Sequence, residues 1–326
     1  MSVLHDALQR VVAGERLSAQ EAEQVIGEIM DGEASDVEIA AFLTALHIRG
    51  EEVAEIEGAA RAMRARGAFV ASKRHPLVDT CGTGGDVTGT FNISTTAAMV
   101  VAGAGVAVAK HGNRSVSSRC GSADVLEALG VAIDLDAPEA SRCLDTVGVA
   151  FLFAPRMHAA MRHVAGARKQ LGFRTLFNLL GPLTNPARAE TQLLGVYDAA
   201  LTEPLAEVLI RLGSRHVLVV HSEDGTDELT VTAPNLVTEA TPAGMRTYLL
   251  DAESLGLPRA DLAAIQGGGP MENAAITEAI LRGEEGARRD TVLLNVAAAL
   301  LAADAVGSLA EGVVEARRSL GSGAAL

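Results

Sequence analysis

The sequence predicts an α/β protein with a small all-helical N-terminal domain and a larger α/β domain, whose mainly parallel central sheet is covered by helices. Three observations support this prediction. Helical periodicity runs from Leu4 to Gly67, short apolar strands alternate with helices after Pro76, and 326 residues are enough for one large domain or two linked ones. We expect the domains to cover residues 1–72 and 73–326.

Helix start and stop signals divide the N-terminal region into short amphipathic helices. Ser18 and Ser35 each stand three residues before a glutamate, which is the capping-box pattern. Gly50 and Gly67 stand where glycines commonly end helices. The apolar stripe over residues 39–46 is explained either by core packing or by a dimer interface. We therefore expect a small helical bundle with a structural role.

Three apolar segments after Pro76 are predicted to form strands, over residues 77–80, 106–109 and 216–221. Each runs into a polar loop. Strands that alternate with helices are typical of a parallel sheet, and such sheets bind ligands at the loops beyond the carboxyl ends of their strands. The three polar loops are therefore the expected location of a binding site.

A later helical stretch, near residues 151–186, is expected to join the N-terminal helices and make the small domain discontinuous. Within it the pattern predicts one helix over residues 157–171, followed by Gly172 as the C-terminal glycine.

Composition and charge exclude several classes of protein. The 27 basic and 41 acidic residues give a net charge of −14, and tryptophan is absent, so we expect no nucleic-acid partner. The longest apolar run, residues 97–109, is shorter than the ~18 residues of a membrane span and contains two glycines, so we expect no membrane partner. The three cysteines form no CxxC motif, as in a cytoplasmic protein with free thiols.

A glycine-rich segment follows the first predicted strand, with the sequence Gly82-Thr83-Gly84-Gly85-Asp86. It matches neither the Walker A loop nor the dinucleotide fingerprint. Glycines allow backbone N–H groups to approach an anion, so the segment can cradle a phosphate. A tight turn with positive φ explains it equally well. Cys81 beside it has no evident base partner, so we do not expect a nucleophile there.

Three further polar segments carry side chains that suit phosphate or metal binding. Residues 92–95 supply small hydrogen-bonding groups at a helix start, where an ordinary N-cap is the alternative explanation. Residues 110–118 concentrate two cations, three serines, an amide and an imidazole in an acidic protein, which favours an anion site. Asp227 and Glu228 offer the oxygen ligands that Mg²⁺ prefers, unless they form a solvated acidic turn.

Together these segments resemble the anthranilate phosphoribosyltransferase family, which is related in fold to the pyrimidine nucleoside phosphorylases. The resemblance runs in one order over nearly the whole chain. The matching segments are residues 79–86, 91–95, 110–118, 120–124, Arg168, 177–186 and 227–228.

The resemblance implies an enzyme that transfers the 5-phosphoribosyl group of 5-phosphoribosyl 1-pyrophosphate (PRPP) to the amine of anthranilate, in tryptophan biosynthesis. It implies a homodimer built on the N-terminal helices and Mg²⁺ as the cofactor, with two ions per subunit. Residues implied to bind PRPP are Gly82, Gly85, Asp86, Thr90, Asn92, Ile93, Ser94, Thr95, Lys110, His111, Gly112, Asn113, Arg114, Ser115, Val116, Ser117, Ser118 and Ser122. Gly82, Asn113 and Arg168 are implied to contact anthranilate, and Ser94, Asp227 and Glu228 to hold the metal.

The chemistry of this reaction is compatible with the residue types. The ribose carbon departs from pyrophosphate with oxocarbenium character, so the enzyme mainly positions the amine and stabilises the leaving group. No residue is assigned a covalent role, and His111 is the candidate acceptor of the amine proton. Arg174 competes with Arg168 for the anthranilate carboxylate. The rival interpretations are a pyrimidine nucleoside phosphorylase and an inactive family member with a binding role.

Overall fold

A computed structural model describes residues 2–85, 88–115 and 119–326 of the chain. The described residues begin with four helices, continue with helices that alternate with the strands of one central sheet, and end with three helices. The α-helices, in chain order, are α1 Val3–Val12, α2 Ala19–Met30, α3 Asp36–Arg49, α4 Val53–Arg66, α5 Ile93–Gly103, α6 Ser122–Ala128, α7 Ala137–Val147, α8 Ala154–Met157, α9 Arg162–Leu171, α10 Leu176–Leu183, α11 Thr202–Arg211, α12 Pro270–Leu281, α13 Ala287–Ala302 and α14 Leu309–Ser322.

The strands form a single seven-stranded sheet in the order β3-β2-β1-β4-β5-β6-β7. Neighbours from β3 to β5 pair in parallel, and β5-β6 and β6-β7 pair antiparallel. The sheet is therefore mainly parallel, as predicted, and its antiparallel edge comes from two strands that the sequence interpretation did not identify. The strands are β1 Leu77–Gly82, β2 Ala107–Gly112, β3 Val149–Phe153, β4 Thr191–Gly195, β5 His216–Ser222, β6 Asn235–Thr241 and β7 Gly244–Leu250.

The local signals predicted for the N-terminal region lie at the ends of helices in the structure. Ser18 and Ser35 both make complete capping boxes, and Gly50 ends α3 with a φ of 86°. Gly67 also ends α4, with a φ of −82°, so this helix end does not use the left-handed conformation seen at Gly50. The chain leaves α4 in an extended conformation because Ala68 N–H donates to the carbonyl of Met157, which draws the segment onto the sheet domain.

The second helical stretch packs on the N-terminal bundle, since α9 contacts α2 and α3, and α10 contacts α3 and α4. The single helix predicted over residues 157–171 is wrong. The structure has α8, a 3₁₀ turn over Ala159–Met161, and α9. The break lies at His158, a residue that is 3% exposed and whose ring centre is 5.1 Å from that of His111. Its backbone has a φ of −124° and a ψ of 62°, outside the helical region, so α8 ends at Met157 and this buried residue separates it from the next turn.

The sheet separates two apolar layers. On β4 and β5, Leu194 and Val219 face the layer that includes the N-terminal helices, whereas Leu193 and Leu218 face the layer formed by α5 and α13. This alternation follows from the two-residue period of a strand. Among the described residues no helix is both long enough and apolar enough to cross a membrane.

Candidate active site

The carboxyl ends of β1 and β4 lie side by side, with Gly82 paired to Gly195. The turn after β5 crosses these two glycines at close range. A Cβ on Gly82 would lie 2.5 Å from Asp227 Oδ2, and one on Gly195 would lie 1.5 Å from the Asp227 carbonyl oxygen. The same carboxylate accepts a hydrogen bond from Gly84 N–H at 2.8 Å. Glycine is required at these strand ends because the Asp227 turn occupies the space of a side chain.

Glu228 lies against the amino end of α5. Its Oε1 accepts a hydrogen bond from Ser94 N–H at 3.1 Å. Desolvation and the neighbouring charge of Asp227 raise the pKa of Glu228 to about 8, although Lys110 opposes the change. The two adjacent acids therefore lack enough positive charge around them, which is the environment that favours a bound cation.

Asp227 and Glu228 with the Ser94 hydroxyl fit the predicted magnesium site in their chemistry, because all three present oxygen ligands. Among the described residues no three His, Cys, Asp or Glu side chains come together to hold a metal ion. Mg²⁺ commonly binds through one or two carboxylates, water and substrate phosphate. The residues present fit an ion of that kind.

Lys110 is a buried cation at the centre of the site rather than part of a polar loop. The predicted loop of residues 110–118 begins later than expected, because β2 keeps its pairing with β3 as far as Gly112. The Lys110 ammonium donates to the carbonyl of Thr80 and to Ser94 Oγ, the second at 3.3 Å. Only 3% of the residue is exposed. It therefore places a positive charge beside the oxygen ligands.

Asp79, in the middle of β1, forms a buried network beneath the site. Its Oδ1 accepts from His111 N–H at 3.1 Å, and its Oδ2 accepts from Asn185 Nδ2 at 2.7 Å. Asn185 also donates to the carbonyl of Ala109 at 2.7 Å. Burial raises the pKa of Asp79, and Lys110 opposes that effect. This network joins β1, β2 and the segment that leads into β4.

Asn92 at the start of α5 does not cap the helix with its side chain. Its Nδ2 donates to the carbonyl of Cys120 at 3.2 Å, and its Oδ1 accepts from Asn273 Nδ2 at 2.9 Å. Asn273 Oδ1 in turn accepts from Gly268 N–H at 2.7 Å. The sequence interpretation did not identify Asn273, because it lies beyond the last matching segment, residues 227–228. No local pattern links it to Asn92.

The segment after β2 is held by Asp124 from α6. Its Oδ2 accepts from the backbone N–H groups of Ser115 and Gly121, at 3.1 and 2.9 Å. The Arg114 guanidinium pairs with Asp124 and Glu127, at 2.9 and 2.8 Å, so its charge is already balanced by two carboxylates. Asp86, Val116, Ser117 and Ser118 lie outside the described residues.

The remaining predicted PRPP residues lie around these groups. Ser122 Oγ donates to the carbonyl of Asn113 at 3.1 Å. Ile93 and Thr95 are buried in the first turn of α5. Thr90 forms an isolated bridge with Gln266. Gly85 has a φ of 87°, and its carbonyl accepts a hydrogen bond from Arg174.

His111 is buried and neutral. Its Nδ1 donates to the carbonyl of Gly181 at 3.0 Å, which leaves the lone pair on Nε2. Among the described residues this Nε2 has no hydrogen-bond partner. Burial lowers the pKa of His111 to about 3. The imidazole is therefore a weak base.

Arg168 lies on α9, half-buried, with its guanidinium 5.8 Å from the centre of the Phe177 ring. No carboxylate or carbonyl of the described residues pairs with it, and burial lowers its pKa. Phe177 and Gly181, the partner of His111, are four residues apart on α10, so Arg168 and His111 contact neighbouring turns of this helix. Arg174, the other candidate for the anthranilate carboxylate, already has partners. Its guanidinium donates a hydrogen bond to the carbonyl of Gly85 and lies 3.9 Å from the centre of the Tyr197 ring.

Cys81 shows none of the features of a nucleophile. The thiol is buried, its pKa is raised by desolvation, and it accepts a hydrogen bond from Gln192 Nε2 at 3.1 Å. These are the surroundings of an unreactive cysteine that packs in the core.

Two family models together match nearly the whole chain. The model described as "Glycosyl transferase family, helical bundle domain" matches residues 5–67, and "Glycosyl transferase family, a/b domain" matches residues 74–326. The chain is 58% identical over 324 residues to the anthranilate phosphoribosyltransferase of Moorella thermoacetica, covering 99% of this chain and 95% of the relative. It is 57% identical over 318 residues to the enzyme of the same name from Symbiobacterium thermophilum, covering 98% and 93%.

Solved structures are similar over the same length. The anthranilate phosphoribosyltransferase of Thermus thermophilus superposes with a TM-score of 0.94 at 49% identity, covering 98% of this chain and 96% of that one. The Saccharomyces cerevisiae enzyme in complex with PRPP and Mg superposes with a TM-score of 0.90 at 28% identity, covering 99% and 94%. The yeast enzyme has also been solved with 4-fluoroanthranilate, with a TM-score of 0.89, 27% identity and the same coverage.

Proposed function

The chain belongs to the anthranilate phosphoribosyltransferase family, and we propose that its active site is the cluster at the carboxyl ends of β1, β2 and β4 together with the turn after β5. The enzyme transfers the 5-phosphoribosyl group of PRPP to the amine of anthranilate and releases pyrophosphate, a step of tryptophan biosynthesis. The observation that best supports the proposed location is that Glu228 and Lys110 both form hydrogen bonds with Ser94, while Asp227 adds a second negative charge next to Glu228.

In this proposal the acidic turn and α5 together hold the metal and the pyrophosphate. Ser94 and Glu228 hold one Mg²⁺, and Asp227 with Glu228 hold a second, so that each subunit binds two ions. When bound, Mg²⁺ acts as a Lewis acid on the pyrophosphate oxygens. Lys110 supplies a fixed positive charge beside them, within an environment where burial strengthens electrostatic stabilisation.

The remaining PRPP contacts of this proposal come from Gly82, Gly85, Asp86, Thr90, Asn92, Ile93, Thr95, Ser122 and the segment after β2. Asn92 is fixed on both sides of its amide, so it offers a preorganised group to the substrate. Arg114 contributes through its backbone, because its guanidinium is paired with two carboxylates.

Anthranilate lies, in this proposal, between Gly82, Asn113 and Arg168. The guanidinium of Arg168, which pairs with no carboxylate in the part of the chain that the structure describes, holds the anthranilate carboxylate in bidentate geometry. The aromatic amine is nearly neutral and requires no strong base, which suits the weakly basic His111. The chain positions the amine and stabilises the departing pyrophosphate without a covalent intermediate.

We further propose a homodimer in which α3 contributes to the interface. Ile39, Phe42, Leu43 and Leu46 are used in the core of the bundle, so core packing explains the stripe noted in the sequence. Val37 and Ile48, however, are 79% and 80% exposed on the opposite part of α3.

We also propose that the smaller domain consists of residues 1–72 joined by residues 151–186. The three cysteines form no disulfide, which suits a cytoplasmic location.

A fluorescence assay of anthranilate consumption tests the proposed reaction. We expect consumption only when PRPP and Mg²⁺ are both present. Continued consumption without PRPP, or none with both, contradicts the proposal. A phosphorolysis assay with a pyrimidine nucleoside and phosphate serves as the control for the related fold, and we expect no activity there.

A further inference from the structure

A cavity of about 420 Å³ lies at the junction between α4 and the sheet domain. Its lining includes four arginines, which come from three separate parts of the chain: Arg61, Arg64, Arg188 and Arg211. None of these residues belongs to the predicted active site. Such a concentration of positive charge is unexpected in a protein with a net charge of −14.

The carboxylates that contact this cluster balance only part of its charge. Glu57 pairs with both Arg61 and Arg211, and Glu207 pairs with Arg211. Within residues 2–85, 88–115 and 119–326, no carboxylate pairs with Arg64 or Arg188. The four guanidinium groups therefore carry two positive charges more than the carboxylates that touch them.

Arg64 forms the rigid base of the cavity. Its Nε donates to the carbonyl of Leu183 at 2.7 Å, and its Nη1 donates to the carbonyl of Leu212 at 3.1 Å. These carbonyls belong to the ends of α10 and α11, where cations are favourable. Burial and the positive charge of Arg188 lower the pKa of Arg64 to about 10. The lowered pKa agrees with a cationic group that lacks a nearby anion.

Arg188 is the exposed and unpaired member of the cluster. Its backbone has a φ of 51°, in the left-handed region that a non-glycine residue seldom adopts. The conformation is fixed by Arg188 N–H, which donates to the carbonyl of Asn185 at 2.9 Å. The guanidinium lies 5.2 Å from the centre of the Phe69 ring. Backbone and ring together hold the side chain at the cavity wall.

We propose that this cavity binds a small molecule through a dianionic phosphate group. Two unbalanced positive charges match the charge of a phosphate monoester near pH 7. Planar guanidinium groups from different directions can each bond two oxygens of such an anion. The cavity is in the size range of small-molecule sites, so it has room for an organic part besides the phosphate. This site is separate from the catalytic one and does not depend on the proposed function.

The location is tested with tungstate, a tetrahedral dianion that anomalous scattering identifies. Crystals of the wild-type protein, of Arg188→Asn and of the control Arg318→Asn are soaked at equal millimolar concentration. Asparagine is chosen because it tolerates the left-handed backbone at position 188, and Arg318 is an exposed arginine on α14 far along the chain from the cavity. We expect density beside Arg188 in the wild type and the control, and none in Arg188→Asn. No density in the cavity of the wild type overturns the proposal.

The affinity is tested by calorimetric titration with inorganic phosphate. We expect Arg188→Asn to weaken the binding at this site at least tenfold, Arg318→Asn to leave it unchanged, and added salt to weaken it in the wild type. Equal phosphate affinity in the wild type and Arg188→Asn contradicts the proposal. Succinate, titrated in parallel, is expected to bind more weakly than phosphate, and tighter binding of this dicarboxylate overturns the phosphate assignment.

Discussion

The side chain of Glu228 and the backbone of Ser94 are joined by a hydrogen bond of 3.1 Å across 134 residues of sequence. This bond fixes the acidic turn after β5 against the first turn of α5. Because Lys110 also reaches Ser94, one short segment of α5 lies between the buried cation and the two adjacent acids. The arrangement brings together the groups that a pyrophosphate and its metal ions would need.

The double variant Asp227→Asn with Glu228→Gln is expected to lose activity by at least a hundredfold, because it removes both carboxylates while keeping similar shapes. The rate of anthranilate consumption at saturating Mg²⁺ measures the effect. Glu223→Gln changes an exposed acid of the same turn and is expected to keep full activity. Full turnover by the double variant in excess EDTA would exclude the proposed metal site.

Arg168→Ala is expected to raise the KM for anthranilate by about 10- to 150-fold, which corresponds to the ~1.5 to 3 kcal/mol of a hydrogen bond to a charged group. PRPP affinity, measured by calorimetry, is expected to change little. Arg162→Ala, on the exposed side of the same helix, is the matched control. An unchanged KM in Arg168→Ala would assign the carboxylate to Arg174 or Asn113.

Much of the fold and the identity of the site segments could be predicted because their signals are local. The capping boxes at Ser18 and Ser35 depend on residues three positions apart, and they form as predicted. The break at His158 could not be predicted, because it depends on burial against His111, far along the chain. The sequence pattern predicts a polar loop at Lys110 because a charged residue rarely lies inside a buried strand. The bonds of its ammonium group to Thr80 and Ser94, which make this burial possible, come from other segments.

The contacts that position the site residues were also beyond the reach of the sequence pattern. Asn185 lies 106 residues from Asp79, and Asn273 lies 181 residues from Asn92. Nothing in the sequence around either asparagine indicates which distant residue it contacts. Asn185 meets Asp79 because β1 and β4 are neighbours in the sheet, and Asn273 meets Asn92 because α12 packs against α5 and α6.

The double variant Val37→Asp with Ile48→Asp is expected to shift the protein from dimer to monomer. The two residues are eleven positions apart on α3, which places them on one face of the helix, and both are largely exposed. Sedimentation velocity at micromolar concentration measures the change. Val314→Asp, at a position on α14 that is 67% exposed, is expected to leave the dimer intact. A monomeric wild type would contradict the dimer proposal.

Protonation of His158 is expected to make the protein less stable in mild acid. Burial lowers the pKa of His158 from 6.5 to about 4, so the unfolded chain binds this proton first. The stabilising contribution of the neutral ring is complete above pH 6.5 and is lost as the pH falls toward 4. The loss amounts to about 3 kcal/mol.

Urea unfolding between pH 7 and 4.5 measures this dependence, and His158→Gln is expected to have a flatter profile than the wild type. His5→Gln, an exposed histidine on α1, is the control and is expected to keep the wild-type slope. Equal slopes in His158→Gln and the wild type would exclude His158 as the titrating group.

Asn273→Leu is expected to raise the KM for PRPP several-fold while the KM for anthranilate stays nearly unchanged. Leucine removes the donor to Asn92 Oδ1 and the acceptor of Gly268 N–H, so the amide of Asn92 keeps only its bond to the carbonyl of Cys120 and is held less firmly toward the substrate. A loss of about 1 to 3 kcal/mol in stability accompanies the change, because Gly268 N–H is left unsatisfied. Steady-state kinetics with each substrate varied separately distinguish positioning from a purely structural role, which would lower stability without changing the KM for PRPP. Glu278→Gln, on the exposed side of α12, is expected to match the wild type in both measurements.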